Sequence, residues 1–212
     1  MVNLISLHGK RLVSYPGLVM SEVQSTFRLQ AGDPAPAFEL PEPNGQLHTL
    51  EGLRGDKGTL VFFACNHCPF VIHLAGAVGR LAEEIAAAGV STVAIMSNDV
   101  ENFPADHPDR MGPFAAESGW AFPYLHDESQ EVAKAWSAAC TPDFFLLDGG
   151  GCLFYAGQFD SSRPGNGLKA TGADLRVAVD ALLTGGEDPG DSRPSSGCNI
   201  KWKVGNEPPY FG

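Results

Sequence analysis

The chain has 212 residues, which is enough for one domain with a complete hydrophobic core. Its composition is 43% hydrophobic and 18% charged, close to that of ordinary globular proteins, and its formal net charge is -11. This acidic balance argues against nucleic acid as the main partner, because phosphate binding needs clustered lysine and arginine.

No stretch reaches the roughly 18 consecutive apolar residues of a membrane span, so we expect no membrane partner. The N-terminus is mildly apolar, but Lys10 and Arg11 interrupt it and it does not have the pattern of a signal peptide. We therefore expect a cytoplasmic protein. The natural start is left open between Met1 and Met20, and the oligomeric state cannot be predicted.

Apolar periodicity and turn residues predict the elements in chain order. The pair Asn44-Gly45 predicts a hairpin between residues 38 and 50. The apolar run 59–64 predicts a buried central strand that ends at Cys65. The elements expected after it are a helix from Val71 to about Gly89, a strand at 90–96, a loop at 98–111, a short helix at 113–118, a strand at 122–125, a helix at 129–136, strands at 144–147 and 152–156, and a helix at 174–183.

Strands that alternate with helices predict a parallel sheet core, and the last two strands, joined by a tight turn, add an antiparallel edge. We therefore predict an α/β fold with a central mixed sheet flanked by helices. One domain is expected at 31–184, after an N-terminal arm at 1–30 and before an irregular tail at 185–212 that packs on the domain.

Five cysteines are an odd number, which argues against a secreted disulfide framework. Cys65 and Cys68 form a Cys-x-x-Cys segment between the predicted buried strand and helix. The N-terminus of a helix stabilises a thiolate, and a thiolate is the nucleophile in disulfide exchange. We expect Cys65, at the helix start, to be the exposed attacking thiolate and Cys68, one turn in, to be the resolving thiol. Pro69 suits the first turn of the helix.

His67 lies between the two cysteines in sequence. An imidazole near the Cys65 sulfur would favour the thiolate over the disulfide and make the pair more oxidising. The alternative is an exposed histidine without effect on the sulfur.

Half of a zinc site is the main alternative for the Cys-x-x-Cys segment. Structural zinc commonly needs four ligands, and the chain has no second Cys-x-x-Cys and no pair of histidines at zinc spacing. His67, His73 and Cys140 could add ligands only through folding. We expect no metal and no other cofactor.

Three segments resemble the thioredoxin superfamily, and more closely its peroxiredoxin-like branch of the alkyl hydroperoxide reductase and thiol-specific antioxidant type. They are the stretch Gly32–Leu40, the stretch Ala64–Phe70 around the two cysteines, and the stretch Cys140–Leu146. The tail 194–203 resembles a subset of bacterial members. The resemblance covers the chain from about residue 30 to its end and is more specific for the fold than for a substrate.

The resemblance implies a thioredoxin-like fold with a cis proline at Pro142. It also implies that the Thr141 backbone is available to pair with a substrate chain near Cys65. Cys140, two residues before Pro142, is then either a third redox thiol or a small buried residue. Cys198, in the tail, is left open.

Two departures from the family pattern narrow the function. Peroxiredoxins carry Pro-x-x-x-Thr-x-x-Cys, whereas Phe62 stands at the threonine position counted from Cys65. Thioredoxins carry a buried aspartate in the strand before the cysteines, whereas residues 60–64 contain no acid. Peroxidase activity is therefore less expected than disulfide exchange, and the proton of Cys68 has no evident acceptor.

The leading hypothesis is a thiol-disulfide oxidoreductase, with Cys65 attacking, Cys68 resolving, and protein or small-molecule thiols and disulfides as partners. A first alternative is a peroxiredoxin-like thiol peroxidase that reduces hydroperoxides. A second is a non-catalytic module that binds a protein or a metal in the groove near Pro142.

Overall fold

The structure of the chain is a computed structural model that describes residues 3–7, 10–15, 18–188, 190 and 192–211, with side chains from residue 22 onward. Its strands are β1 (Asn3–Leu7), β2 (Lys10–Tyr15), β3 (Leu18–Gln24), β4 (Glu39–Pro41), β5 (Leu47–Thr49), β6 (Gly58–Phe63), β7 (Val90–Met96), β8 (Tyr124–His126), β9 (Cys140–Thr141), β10 (Asp143–Asp148), β11 (Leu153–Gly157) and β12 (Ser196–Asn199). Its helices are α1 (Leu50–Leu53), α2 (Pro69–Ala86), α3 (Pro108–Ser118), α4 (Glu131–Ala135) and α5 (Ala173–Leu183).

The central sheet has the strand order β11-β10-β6-β7-β8. The strands β6, β7 and β8 run parallel to one another, while β10 and β11 are antiparallel to their neighbours. The fold is thus α/β with a mixed central sheet, as the alternation of strands and helices predicts. The predicted hairpin is also present, as the antiparallel pair β4 and β5.

The strand β6 lies at the centre of this sheet and is fully buried, because both of its faces are covered. Leu60 and Phe62 point into a core that includes residues of α2 and α5, whereas Val61 and Phe63 point into a second core that includes Phe38 and Trp136. Alternate residues of a strand point to opposite faces, so an apolar residue at every position places β6 between two layers.

One predicted loop is wrong. Residues 98–111 were expected to be irregular and a short helix to begin at Pro113, but a 3-10 turn covers Pro104–Asp106 and α3 begins at Pro108. Pro108 occupies the first position of the helix, where a missing N–H costs nothing, and the His107 side chain accepts from the Asp109 amide. Pro113 instead lies inside the helix.

The described part of the tail predicted at 185–212 contains one regular element, β12. This strand pairs antiparallel with β3 on one side and with β9 on the other. The predicted arm at 1–30 contributes the antiparallel strands β1, β2 and β3 in its described part, while Met1 lies outside the described residues. No helix in the described ranges has the length and apolar character needed to cross a membrane.

Candidate active site

The two cysteines of the Cys-x-x-Cys segment lie where β6 leads into α2. The predicted position of the cysteines relative to the helix, with Cys65 at its start and Cys68 one turn in, is wrong. The helix α2 begins at Pro69, so Cys68 is its N-cap residue and Cys65 lies in an irregular segment before it. Pro69 disfavours helical geometry in the residue before it, which keeps Cys68 extended and outside the helix. The N–H groups at the helix start therefore lie next to Cys68 rather than Cys65.

Cys65 is a free thiol with only 1% of its surface exposed. The sequence-based expectation of an exposed Cys65 is therefore wrong in this structure. Its Sγ lies 3.4 Å from the Thr141 hydroxyl oxygen. Burial raises the pKa of Cys65, and Cys68 and the Asp106 carboxylate raise it further, against a smaller lowering by Thr141.

Cys68 is also a free, fully buried thiol, but it has more hydrogen-bonding partners. As a donor, its Sγ lies 3.1 Å from the Thr141 carbonyl oxygen and 2.7 Å from Cys198 Sγ. Burial by itself would raise the pKa of Cys68. The Cys198 and Cys65 thiols and the amides of Val71 and Cys198 can all donate to the thiolate, and together they lower that pKa well below its ordinary value.

The Thr141–Pro142 peptide bond is cis, as the resemblance implies. The Thr141 backbone is not free for a substrate chain, however, because it is paired with the tail: Thr141 lies opposite Cys198 in the β9–β12 ladder. The expectation of an available Thr141 edge is wrong here, since β12 occupies it.

His67 is half-buried, and its Nδ1 lies 2.7 Å from Asp106 Oδ2. Its ring stacks on Phe103, with 6.1 Å between the centroids. Asp106 is fully buried, and its Oδ1 accepts from the amides of Asn66 and His67 at 2.8 and 3.3 Å. His67 and Asp106 thus lie together beside the irregular segment 64–68 that contains Cys65, called the Cys65 loop below.

Asp106 was not singled out from the sequence. It lies on the segment after β7, whose carboxyl end meets that of its parallel neighbour β6 at one edge of the sheet. Loops that follow adjacent parallel strands lie side by side. The parallel pairing of β6 and β7 therefore indicates that an acid of residues 98–111, after β7, approaches Cys65, after β6.

Three of these residues could serve as metal ligands. The ligand atoms of Cys65, His67 and Asp106 all lie within 4.8 Å of one another. His73 and Cys140, which were considered as additional zinc ligands, are not members of this group. A structural zinc site commonly has four protein ligands, one more than this group supplies.

Cys140 was considered as a third redox thiol. It is fully buried, and its Sγ lies 3.4 Å from the Pro142 carbonyl oxygen. Burial raises the pKa of Cys140, with Asp143 as the next cause. The thiol that the fold brings against the pair is instead Cys198, whose Sγ touches that of Cys68. Cys152, the remaining cysteine, is half-buried beside β11.

The match to a family model covers most of the chain. The model described as Redoxin matches residues 30–173, a stretch that includes Cys65, Cys68 and Pro142. The chain belongs to the Redoxin family. The matched stretch ends before β12, so Cys198 lies outside it.

Two proteins with higher sequence identity and one with lower identity are similar to this chain. A structure from Geobacillus kaustophilus, titled only as a conserved protein, is 48% identical with a TM-score of 0.84, over 88% of this chain and 98% of that one. A Mycobacterium tuberculosis protein, named provisionally as a peroxiredoxin, is 31% identical over 53% of this chain and 67% of its own length.

A structure from Chlorobium tepidum, titled as a thiol:disulfide interchange protein, is 22% identical with a TM-score of 0.58, over 73% of this chain and 99% of that one. At this identity the likeness concerns the fold alone. It identifies the fold as thioredoxin-like. The family match and the relative from Mycobacterium tuberculosis identify the chain as peroxiredoxin-like.

Proposed function

We propose that the chain is a thiol-disulfide oxidoreductase whose reacting groups are Cys65 and Cys68. The observation that carries the proposal is the arrangement of two free thiols against one residue. The Thr141 hydroxyl contacts the Cys65 sulfur and the Thr141 carbonyl contacts the Cys68 sulfur, next to the cis bond to Pro142. Both sulfurs therefore face the same short strand, β9.

All bond changes between sulfur atoms in the reaction take place at the two thiols and the substrate disulfide. The thiolate of one cysteine attacks a sulfur of the substrate disulfide, and the other substrate sulfur leaves as a thiolate that takes up a proton. The second cysteine loses its proton and attacks the mixed disulfide. The substrate is released as a dithiol, and the pair is left as a Cys65–Cys68 disulfide.

The surroundings of the two sulfurs support Cys68 as the thiolate, contrary to the assignment made from the sequence. The Val71 amide at the helix start and the Cys198 thiol and amide can donate to a Cys68 thiolate and lower its pKa, whereas the pKa of Cys65 is raised by burial and by Asp106. The proposal therefore has Cys68 attack first and Cys65 resolve. The sequence-based order, with Cys65 attacking, stays the alternative that the experiment below decides.

The proton acceptor that the sequence did not supply is part of the proposal. Cys65 must lose its proton when it resolves the mixed disulfide. His67 and Asp106 lie close enough to receive it, since their ligand atoms are within 4.8 Å of the Cys65 sulfur.

Peroxide reduction is the second candidate, favoured by the peroxiredoxin name of the relative from Mycobacterium tuberculosis. The Pro-x-x-x-Thr-x-x-Cys pattern is absent in either register. Counted from Cys65, Phe62 stands at the threonine position; counted from Cys68, Cys65 stands there and Val61 stands at the proline position. Disulfide exchange therefore stays the better-supported function, with protein or small-molecule disulfides as substrates and the cytoplasm as the expected location.

Two turnover assays test the proposal: reduction of insulin with dithiothreitol as electron source, and consumption of hydrogen peroxide. Each is run on the wild type, on Cys65→Ser and Cys68→Ser, and on Cys152→Ser as the matched control. We expect insulin reduction in the wild type and the control and a loss of at least about 100-fold in the other two variants.

The stalled intermediate identifies the attacking thiol. We expect the double variant Cys65→Ser/Cys198→Ala, which lacks both neighbouring thiols, to accumulate a mixed disulfide on Cys68. Accumulation on Cys65 in the Cys68→Ser variant instead would restore the sequence-based order. Rapid peroxide consumption without insulin reduction would favour the peroxidase, and neither activity would favour the binding module.

A further inference from the structure

Cys198 lies against the proposed reactive pair, although it is 130 residues away from Cys68 in sequence. Its Sγ is 2.7 Å from Cys68 Sγ, and it is almost fully buried. Cys68 is thus flanked by two thiols, one from its own segment and one from the tail. The proposed function uses only the first.

The tail is held in place on both sides of Cys198. Before it, Gly197 and Ser196 pair with β3, and the Ser195 hydroxyl donates to the Gly157 carbonyl at 2.7 Å. After it, the Lys201 amide donates to Asn98 Oδ1 at 2.9 Å, and the Lys201 carbonyl accepts from the Asp99 amide at 2.8 Å.

A buried glutamine adds further anchors to the segment after Cys198. The Gln130 side chain donates to the Lys201 carbonyl and accepts from the Lys203 amide, at 2.9 and 2.8 Å. Asn98 also links the tail to the site, because its amide group donates to Asp106 Oδ2 at 2.8 Å while its oxygen accepts from Lys201. The contact between the two sulfurs is therefore fixed by hydrogen bonds that do not involve either sulfur.

Gly197 permits the close approach of the tail to β9. A Cβ added at Gly197 would lie 2.1 Å from the Thr141 carbonyl oxygen, a contact with backbone that no side-chain movement can relieve. Glycine is the one residue without a Cβ, so only glycine lets β12 lie this close to Thr141. The neighbouring Cys198 is thereby brought onto Cys68.

We propose that Cys198 is a third redox thiol that exchanges with the Cys65–Cys68 disulfide. The Cys198 thiolate attacks Sγ of Cys68, a Cys68–Cys198 bond forms, the Cys65–Cys68 bond breaks, and Cys65 leaves as a thiolate that takes up the proton lost by Cys198. The step is an isomerisation, so it consumes no oxidant or reductant. It rests on the proposed function, which supplies the Cys65–Cys68 disulfide.

The exchange would give the centre a second oxidised form in which Cys65 is free. The strand that carries Cys198 occupies the Thr141 edge, next to both reactive sulfurs. The tail thus holds its own cysteine against Cys68. Cys198 acts in this proposal as an internal partner that a substrate must displace.

Tryptic mapping separates the three groups of cysteines. Cys65 and Cys68 fall in the peptide 58–80, Cys198 falls in the peptide 177–201, and the other two cysteines fall in the peptide 135–169. The wild type, Cys65→Ser, Cys68→Ser and Cys198→Ala are each oxidised with oxidised glutathione. Free thiols are then blocked, and the proteins are digested without reduction.

We expect Cys65→Ser to give a disulfide between peptides 58–80 and 177–201 in most molecules. The matched variant Cys68→Ser should instead carry glutathione on Cys65 and give little of this link. The wild type should give both the link and the disulfide within 58–80, and Cys198→Ala only the latter. Because the wild type carries no substitution, its result does not depend on whether a variant folds.

Stable glutathione on Cys68 of Cys65→Ser, with no link in that variant or in the wild type, would overturn the role of Cys198. This outcome is separable from failure of the proposed function. Insulin reduction without the link refutes only the role of Cys198, whereas the link without insulin reduction refutes only the proposed oxidoreductase.

Discussion

Cys65 and Cys68 lie three residues apart, yet the structure gives their sulfurs opposite surroundings. Both are buried, and burial alone raises the pKa of a thiol. Cys65 lies in an irregular segment next to the Asp106 carboxylate, whereas Cys68 caps a helix of 18 residues and touches the tail. Because both sulfurs are equally buried, hydrogen-bond donors and nearby charge account for the opposite directions of their pKa shifts.

The largest expected effect concerns Asp143, a buried carboxyl whose pKa is likewise raised by burial and lowered by hydrogen bonds. Burial raises the pKa of Asp143 from 3.8 to about 6, against hydrogen bonds that lower it. The folded state then binds the proton more tightly than the unfolded chain, so this group reduces stability as the pH rises through the window from about 4 to 6. The effect is roughly 2–3 kcal/mol, taking 1.36 kcal/mol per pKa unit.

Asp143→Asn removes this titration. Urea unfolding of the wild type and of Asp143→Asn, measured at pH 4 and pH 7, should show the wild type losing about 2–3 kcal/mol relative to the variant at the higher pH. Equal pH dependence of the two proteins would mean that hydrogen bonds compensate fully for the burial of this carboxyl.

In the second prediction, a substitution that moves the tail reduces the difference in pKa between the two cysteines. Gly197→Ala forces a Cβ against the Thr141 carbonyl and should destabilise the fold by about 1–3 kcal/mol. Because β12 must move, the Cys198 thiol and amide no longer donate to Cys68. The pKa of Cys68 should then rise toward that of Cys65.

The pH dependence of Cys68 alkylation in Gly197→Ala measures that rise. Gly112→Ala is the matched control, because a Cβ at Gly112 meets nothing within 4 Å and the site lies in α3. It should leave the pH dependence unchanged and add up to about 1 kcal/mol of stability. An unchanged Cys68 profile in Gly197→Ala would show that the tail does not set the acidity of Cys68.

The smallest expected effect concerns His67 and the Cys65 side of the pair. The Cys65 thiol next to His67 exists only in the reduced pair, so loss of its contact with the imidazole should lower the reduction potential of His67→Ala, by about 30 mV for an interaction of 1.4 kcal/mol. Equilibration with glutathione measures the potential of both proteins. His73→Ala is the control, because His73 lies one turn into α2 and outside the group formed by Cys65, His67 and Asp106. A shift of the same size in both variants would remove the specific role of His67.

Much of the fold follows from the sequence because it depends on local patterns. The unbroken apolar run of β6 and the apolar spacing in α2 have direct structural consequences, and both elements are present. The start of α3 did not follow, because either Pro108 or Pro113 can occupy a first helical position and only the fold decides between them.

In the site, too, local features follow from the sequence, whereas contacts between distant segments do not. The Cys-x-x-Cys segment and the cis Pro142 are local features that a motif can indicate. The contacts of Asp106 with the Cys65 loop and of Cys198 with Cys68 join segments that are 40 and 130 residues apart. No spacing in the sequence encodes such contacts, and nearness to Pro142 along the chain favours Cys140 over Cys198 as a third thiol.

The pH dependence of alkylation tests most directly the central claim, that Cys68 provides the thiolate of the pair. Cys65→Ser and Cys68→Ser are treated with iodoacetamide from pH 5 to 10, and modification of the peptide 58–80 is followed by mass spectrometry. The midpoint reports the pKa and not the access to the sulfur. We expect Cys68, in Cys65→Ser, to titrate at a lower pH than Cys65 does in Cys68→Ser. A lower midpoint for Cys65 would contradict it.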